Sequence, residues 1–143
     1  MSLTETGDTF PMSNSAILLV ARVLLSFMFI MSGLSKFGDI AGTAGYIGSV
    51  GLPAATALAW LTAILETLAG IAVLVGFQTR IAALLLAAFC VASAVLFHAD
   101  FSDQAQMISF MKNLTIAGGF LTLWVAGPGS ISVDARSGSL ATA

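Results

Sequence analysis

The 143-residue sequence predicts an all-α integral membrane fold, an up-down bundle of four spanning helices with a short interfacial segment between helices 1 and 2. Three observations carry that expectation. The chain is 58% hydrophobic and only 8% charged, with a mean hydropathy of +1.01, whereas soluble domains are about 25% charged. Its apolar residues gather into four runs near the ~20 residues that cross ~30 Å of hydrocarbon at ~1.5 Å per residue. No run alternates with period two, which leaves helices as the spanning structure, because lipid offers no partner to an open backbone. A water-soluble globule of this length could not cover so much apolar surface in one core.

The order of elements follows from local signals. Residues 1–14, "MSLTETGDTFPMSN", form a polar N-terminal segment with no Lys or Arg. A secretory signal opens with positive charge and has a short apolar core, so the first run reads as a retained span. The first helix is expected over Ser15–Leu34, with Ser13, Asn14 and Ser15 as candidate N-caps. The second runs from Pro53, a first-turn proline, to Gly76, a C-terminal stop. The third covers Thr79–Phe97, and its short link to the second enforces an antiparallel hairpin. The fourth covers Gln106–Ala126 and is closed by "GPGS". The four-helix domain thus occupies 15–127, followed by a flexible polar tail over 128–143. Between the first two helices, "SKFGDIAGTAGYIGSVGLP" is glycine-rich, and Tyr46 suits a short amphipathic or re-entrant piece at headgroup level.

Four spans place both termini on one side of the bilayer, with Arg80 and Arg136. The positive-inside rule then favours cytoplasmic termini, with Lys36 and Lys112 partly embedded and discounted as topology signals. A net charge of −2 with scattered cations points to no nucleic-acid partner. Cys90 stands alone in an apolar run, so no disulfide, metal motif or haem attachment is expected.

Chemistry concentrates in the few polar residues of the apolar helices. Arg22 and Glu66 would each cost about 2.5–3.5 kcal/mol at the bilayer centre, which predicts that both face the interior and pair with each other. Arg22, Ser26, Phe29, Gly33 and Lys36 recur at spacings of four and three, forming one face of the first helix. The same count gives Thr62, Glu66 and Gly70 on the second helix, and Lys112, Thr115, Gly119 and Thr122 on the fourth. At the non-terminal end, His98, Lys36 and Lys112 with Asp39, Asp100 and Asp103 would ring a mouth where a histidine can relay protons to a quinone-like ligand. Snorkelling lysines and a helix-capping histidine are the structural alternative for the same residues. A buried ion pair can likewise serve only to fix helix register. Nucleophile–base pairs, phosphate loops and metal-spaced carboxylates are missing, so catalysis by this chain alone is not expected.

Taken together, "ARVLLSFMFIMSGLSKF", "ETLAGIAVLVGFQTRIAA", "FH" and "MKNLTIAGGFLTL" resemble the DoxX family of small four-helix bacterial membrane proteins, over roughly residues 16–126. The positions matching the family pattern are Arg22, Gly33, Lys36, Glu66, Gly70, Arg80, His98, Lys112, Asn113 and Gly119. The resemblance implies a multi-pass protein of the bacterial inner membrane. It implies an accessory subunit of a quinone-linked or respiratory oxidoreductase complex, with other membrane subunits or its own copies as partners. Arg22, Lys36, Glu66, His98, Lys112 and Asn113 are then the candidate residues for a quinone or proton site. Related animal proteins assist the assembly of membrane receptors, so a scaffolding or assembly role is the alternative.

Overall fold

The computed structural model describes residues 13–138, so the expected polar segment 1–14 lies almost wholly outside the described residues. The chain forms α1 (Asn14–Gly38), α2 (Ile40–Ser49), α3 (Ala55–Val75), α4 (Thr79–Phe97), α5 (Gln104–Ala126) and α6 (Val133–Arg136). Four of these, α1, α3, α4 and α5, are long and apolar enough to cross a membrane. No strand occurs among the described residues. The predicted helical membrane bundle is therefore the observed fold, with α2 as the short segment between the first two spans.

Local chemistry explains most boundaries. Ser13 accepts a hydrogen bond from the Ala16 amide and opens α1, a side-chain N-cap. The helix continues to Gly38, past the expected Leu34, with Lys36 in its last turn, where a cation suits the negative end of the helix dipole. Asp39 then caps α2 through the Gly42 amide. α3 begins at Ala55, not at Pro53, because Ala54 takes a left-handed conformation with φ 53° just before it. Its stop is Gly76, left-handed at φ 74°, as expected of a helix-ending glycine. Asp103 caps α5 through the Ala105 amide, starting that helix at Gln104 and not at Gln106.

Packing pairs α1 with α3 and α4 with α5, joins these pairs through α3 and α4, and rests α2 on α3. The core centres on Phe29, Val73, Leu86, Phe120 and Leu123, with alanines between them. Phe29 meets Phe120 edge-on at 5.3 Å and Phe89 at 6.4 Å, an arrangement aromatic rings favour. Leu24, Phe27, Leu61, Leu68, Ile81 and Val125 point outward, as lipid-facing side chains should.

Two glycines set how closely α1 and α3 approach. A Cβ on Gly33 would stand 2.9 Å from the Ala63 carbonyl oxygen, and one on Gly70 would stand 2.9 Å from Ile30 Cγ1. Small residues at such crossings let backbones close up where lipid supplies no hydrophobic drive. These contacts also fix the antiparallel register: Gly33 lies opposite 63–67, and Gly70 opposite 29–30. Extended along the pair, that register sets Arg22 about level with residue 77. α1 therefore projects nearly three turns beyond the end of α3.

The C-terminal segment fills that gap. Expected as a free polar tail over 128–143, it instead folds back onto the bundle through Gly138, and residues 139–143 lie outside the described residues. Ser130 Oγ donates to Ser15 Oγ at 2.7 Å, and the Asp134 amide donates to the Gly76 carbonyl at 2.8 Å. The exposed overhang of α1 supplies the surface that this strap covers.

Candidate functional site

The predicted stripe on α1 is real, since Arg22, Ser26, Phe29 and Gly33 are all buried on one face. The expected partnership of Arg22 with Glu66 is not. In the observed register Glu66 lies level with residue 33, so Arg22 is about 16 Å away along the axis at 1.5 Å per residue. A guanidinium cannot reach that far. Pairing the two would require the terminal-side ends of the first two spans to stand at one level, and the overhang of α1 removes that premise.

Lys36 takes the place assigned to Arg22. Its Nζ lies 3.0 Å from Glu66 Oε1 and 3.1 Å from Oε2, and it donates to Ser32 Oγ at 2.7 Å. This is the one ion pair among the described residues. Glu66 is 2% exposed while Lys36 keeps 25% of its side chain accessible, so the pair is buried on the acid side and open on the amine side. Lys36 starts on α1 near the level of Ala63 and leans inward by about one turn to reach the carboxylate.

The pair forms part of the wall of a cavity of about 230 Å³. His98 and Asn113 line the same cavity, together with Thr62 and Ser93. Phe29, Phe89 and Phe97 supply apolar wall, and α2 contributes Thr43, Tyr46 and Ile47. Tyr46 stacks on Phe97 with ring centroids 5.2 Å apart, and Ile47 is buried. Each hydrogen bond of α2 stays within 39–51, so packing alone seats it over the cavity.

His98 is the C-cap of α4, and its Nδ1 lies 2.7 Å from Gln106 Oε1 on α5. With the proton on Nδ1 the ring donates to that oxygen, leaving the Nε2 lone pair free. Asn113 Nδ2 donates to the Ser109 carbonyl at 3.0 Å, leaving its own Oδ1 free as an acceptor.

Lys112 does not join the site. It is exposed on the outer face of α5, as are Thr115 and Thr122, whose hydroxyls bond back to the Met111 and Gly118 carbonyls. The inward face of α5 runs through Asn113, Ala117 and Phe120, one residue on from the predicted stripe. Core volume decides this rotation, because Phe120 and Leu123 are the large apolar groups that Phe29 and the alanines of α4 can accommodate. The three aspartates expected to complete the ring around His98, Lys36 and Lys112 do not line the cavity either. Asp39 and Asp103 cap helices, and Asp100 accepts from the Ser102 hydroxyl and amide, which hold its carboxyl below the usual range.

Arg22 is buried at the opposite end of the bundle and binds only carbonyl oxygens. Nε donates to Val73 at 3.0 Å, Nη2 to Leu74 at 2.8 Å, and Nη1 to Pro128 at 2.8 Å and Ile131 at 2.7 Å. The first two belong to the last turn of α3, where helix carbonyls lack partners and a cation meets the negative dipole end. Arg22 is thus the staple that joins α1, the end of α3 and the returning strap. Asp134 complements it by accepting from the Gln78 and Thr79 amides and from Thr79 Oγ1. It caps α4, whose own N-cap Gln78 makes no side-chain hydrogen bond. Nothing in the local sequence signals that long-range cap, whereas Ser32 could have been found from its spacing of four before Lys36.

The profile of the family described as DoxX matches residues 17–99. Inner membrane protein YqjF of Escherichia coli (strain K12) is 44% identical over 116 residues, covering 81% of this chain and 88% of its own. Inner membrane protein YphA of the same organism is 36% identical over 132 residues, covering 89% and 94%. A Bacillus subtilis (strain 168) protein named "Putative oxidoreductase CatD" is 39% identical over 69 residues, 48% of this chain and 50% of its own. No solved structure matches the chain.

Proposed function

The chain belongs to the DoxX family, and from that premise we propose that it is an accessory membrane subunit of a quinone-linked or respiratory oxidoreductase, with the cavity beside Lys36 and Glu66 as a quinone-headgroup and proton site. The observation that carries the reading is the composition of that cavity. A cationic donor paired to a buried carboxylate, a histidine with a free ring nitrogen and an amide acceptor share one space walled by aromatic rings. The oxidoreductase name of the Bacillus subtilis relative supports the same direction.

The residues fit a quinone headgroup. At about 230 Å³ the cavity is smaller than the ~300–1,000 Å³ typical of sites for whole drug-sized ligands. It suits a single ring whose tail lies among the helices or in lipid. Lys36 carries three N–H donors, and Ser32 Oγ and Glu66 Oε2 accept from two of them. A remaining N–H is free for a ring carbonyl oxygen. Asn113 would orient the ring, and Phe29 and Phe89 would flank it. When bound, the quinone supplies two-electron, two-proton redox chemistry. The chain itself would hold protons at Glu66 and His98, one deep in the bundle and one at its mouth. Its partners are then other membrane subunits or further copies of itself, and the arginine-bearing end with both termini faces the cytoplasm.

Binding of a short-tailed ubiquinone analogue to the purified, lipid-embedded chain tests the reading. The expected result is saturable binding that weakens at least tenfold in Asn113→Leu and in His98→Ala, with helix content unchanged by circular dichroism. A chain that binds no quinone and purifies without redox subunits refutes it and favours the scaffolding alternative.

A further inference from the structure

A second cavity, of about 220 Å³, lies under the C-terminal strap at the other end of the bundle, between Arg22 and Arg136. We propose that it binds one phosphate group, carried by an anionic lipid headgroup or free in solution. The inference is independent of the quinone reading and rests on an electrostatic imbalance. Arg22 is 1% exposed, yet its four acceptors are all neutral carbonyls. A buried cation in a membrane protein ordinarily has a counter-charge, because its desolvation is otherwise repaid only in part. The nearest carboxylate in the strap, Asp134, acts on Arg22 through space but makes no direct ion pair with it, being engaged by Gln78 and Thr79, so it offsets the buried charge only in part.

The geometry supplies room and donors. A guanidinium has five N–H groups, and the four bonds of Arg22 leave one on Nη2 unassigned. Arg136, exposed on α6, lines the same cavity from the strap side. Two arginines that converge on one space are suited to phosphate, whose oxygens accept charge-assisted and bidentate hydrogen bonds. Leu19, Val75 and Val133 form the apolar remainder of the wall. The cavity lies at the level where α3 and α5 end, the level a headgroup would occupy beside helices that span a bilayer. A headgroup there would bridge α1 to the strap and neutralise Arg22 from outside.

The test uses the full chain in neutral detergent, with thermal unfolding followed against added dihexanoyl-phosphatidylglycerol, dihexanoyl-phosphatidylcholine and inorganic phosphate. The expected result is saturable stabilisation by the glycerol lipid but not by the choline lipid. Arg136→Gln should raise the half-saturating concentration at least tenfold. Val133→Trp, which fills the cavity without changing charge, should do the same. Lys112→Gln, which removes an equal charge at the far end, should leave it unaltered. Stabilisation by inorganic phosphate with the same variant pattern supports the site with free phosphate as its source. No stabilisation by either anion, or a lipid effect equal in all three variants, overturns the proposal.

Discussion

Glu66 should be coupled energetically to Lys36 and not to Arg22, and a pair of double-mutant cycles measures both. Replacing Lys36 by Met leaves a carboxylate that is 2% exposed without its counter-charge. Removing one partner of a buried pair in this way costs about 3–5 kcal/mol, less whatever protonation recovers. Glu66→Gln is milder, about 1–2 kcal/mol, because Lys36 is a quarter exposed near a helix end and can extend toward the interface. The double variant removes both charges, so its cost should fall short of the sum by about 2–3 kcal/mol. Arg22 stands about 16 Å from Glu66 along the axis, and Arg22→Gln combined with Glu66→Gln should be additive within about 0.5 kcal/mol. Reversible unfolding in mixed micelles, followed by circular dichroism, gives all the terms. An Arg22–Glu66 coupling as large as that of Lys36–Glu66 would refute the register on which this reasoning stands.

Gly33→Leu should lower stability by about 1–3 kcal/mol or more, because the new side chain meets the Ala63 carbonyl and must push α1 from α3; an unchanged melting temperature would contradict that close crossing. Asp134→Ala strips the cap from α4 and should cost about 1–2 kcal/mol, with faster protease cleavage around 128–138 as the readout; equal cleavage rates would show that the cap does not hold the strap. Asp100 is held below the usual aspartate range, first by the Ser102 hydroxyl. Ser102→Ala should therefore shift its carbon-detected NMR titration upward toward about 3.9. The small stabilisation from this contact is present above that value and fades as pH falls through the lowered one, so a midpoint that does not move would rule the contact out.

The spans were readable from the sequence because each depends on information local to it. Apolar run length, Ser13, Gly76 and the two-residue link before Thr79 act within a turn or two of themselves. The buried face of α1 was readable for the same reason, since a spacing of three and four is a property of one helix. What one helix cannot encode is its offset against another. The pairing of Arg22 with Glu66 failed because the register of α1 on α3 is set at Gly33 and Gly70, by contacts between distant positions. The buried face of α5 lies one residue on from the predicted one because Lys112, Thr115 and Thr122 satisfy their polar groups on their own helix or at its surface. Burial of Phe120 and Leu123 then decides the rotation. The small, polar composition of the strap predicts a loose tail. Its anchors, Arg22 and Gly76, lie more than fifty residues upstream of Asp134 and leave no mark in the segment itself.

The two cations of α1 illustrate why residue type, and not charge alone, divides the work between the ends of the bundle. Position 22 must satisfy four carbonyls on two separate segments, which only a planar group with five donors can do from one side chain. Lysine there would keep the charge but leave carbonyls of Pro128, Ile131 or Leu74 without a donor. Position 36 has the opposite requirement. A compact ammonium can hold Glu66 and Ser32 and still turn an N–H toward the cavity, whereas a guanidinium would form a bidentate fork with the carboxylate and crowd the space beside it. An exchange of the two residue types should therefore damage each end differently. The strap would loosen at one end, and the cavity would fill at the other while the ion pair persisted.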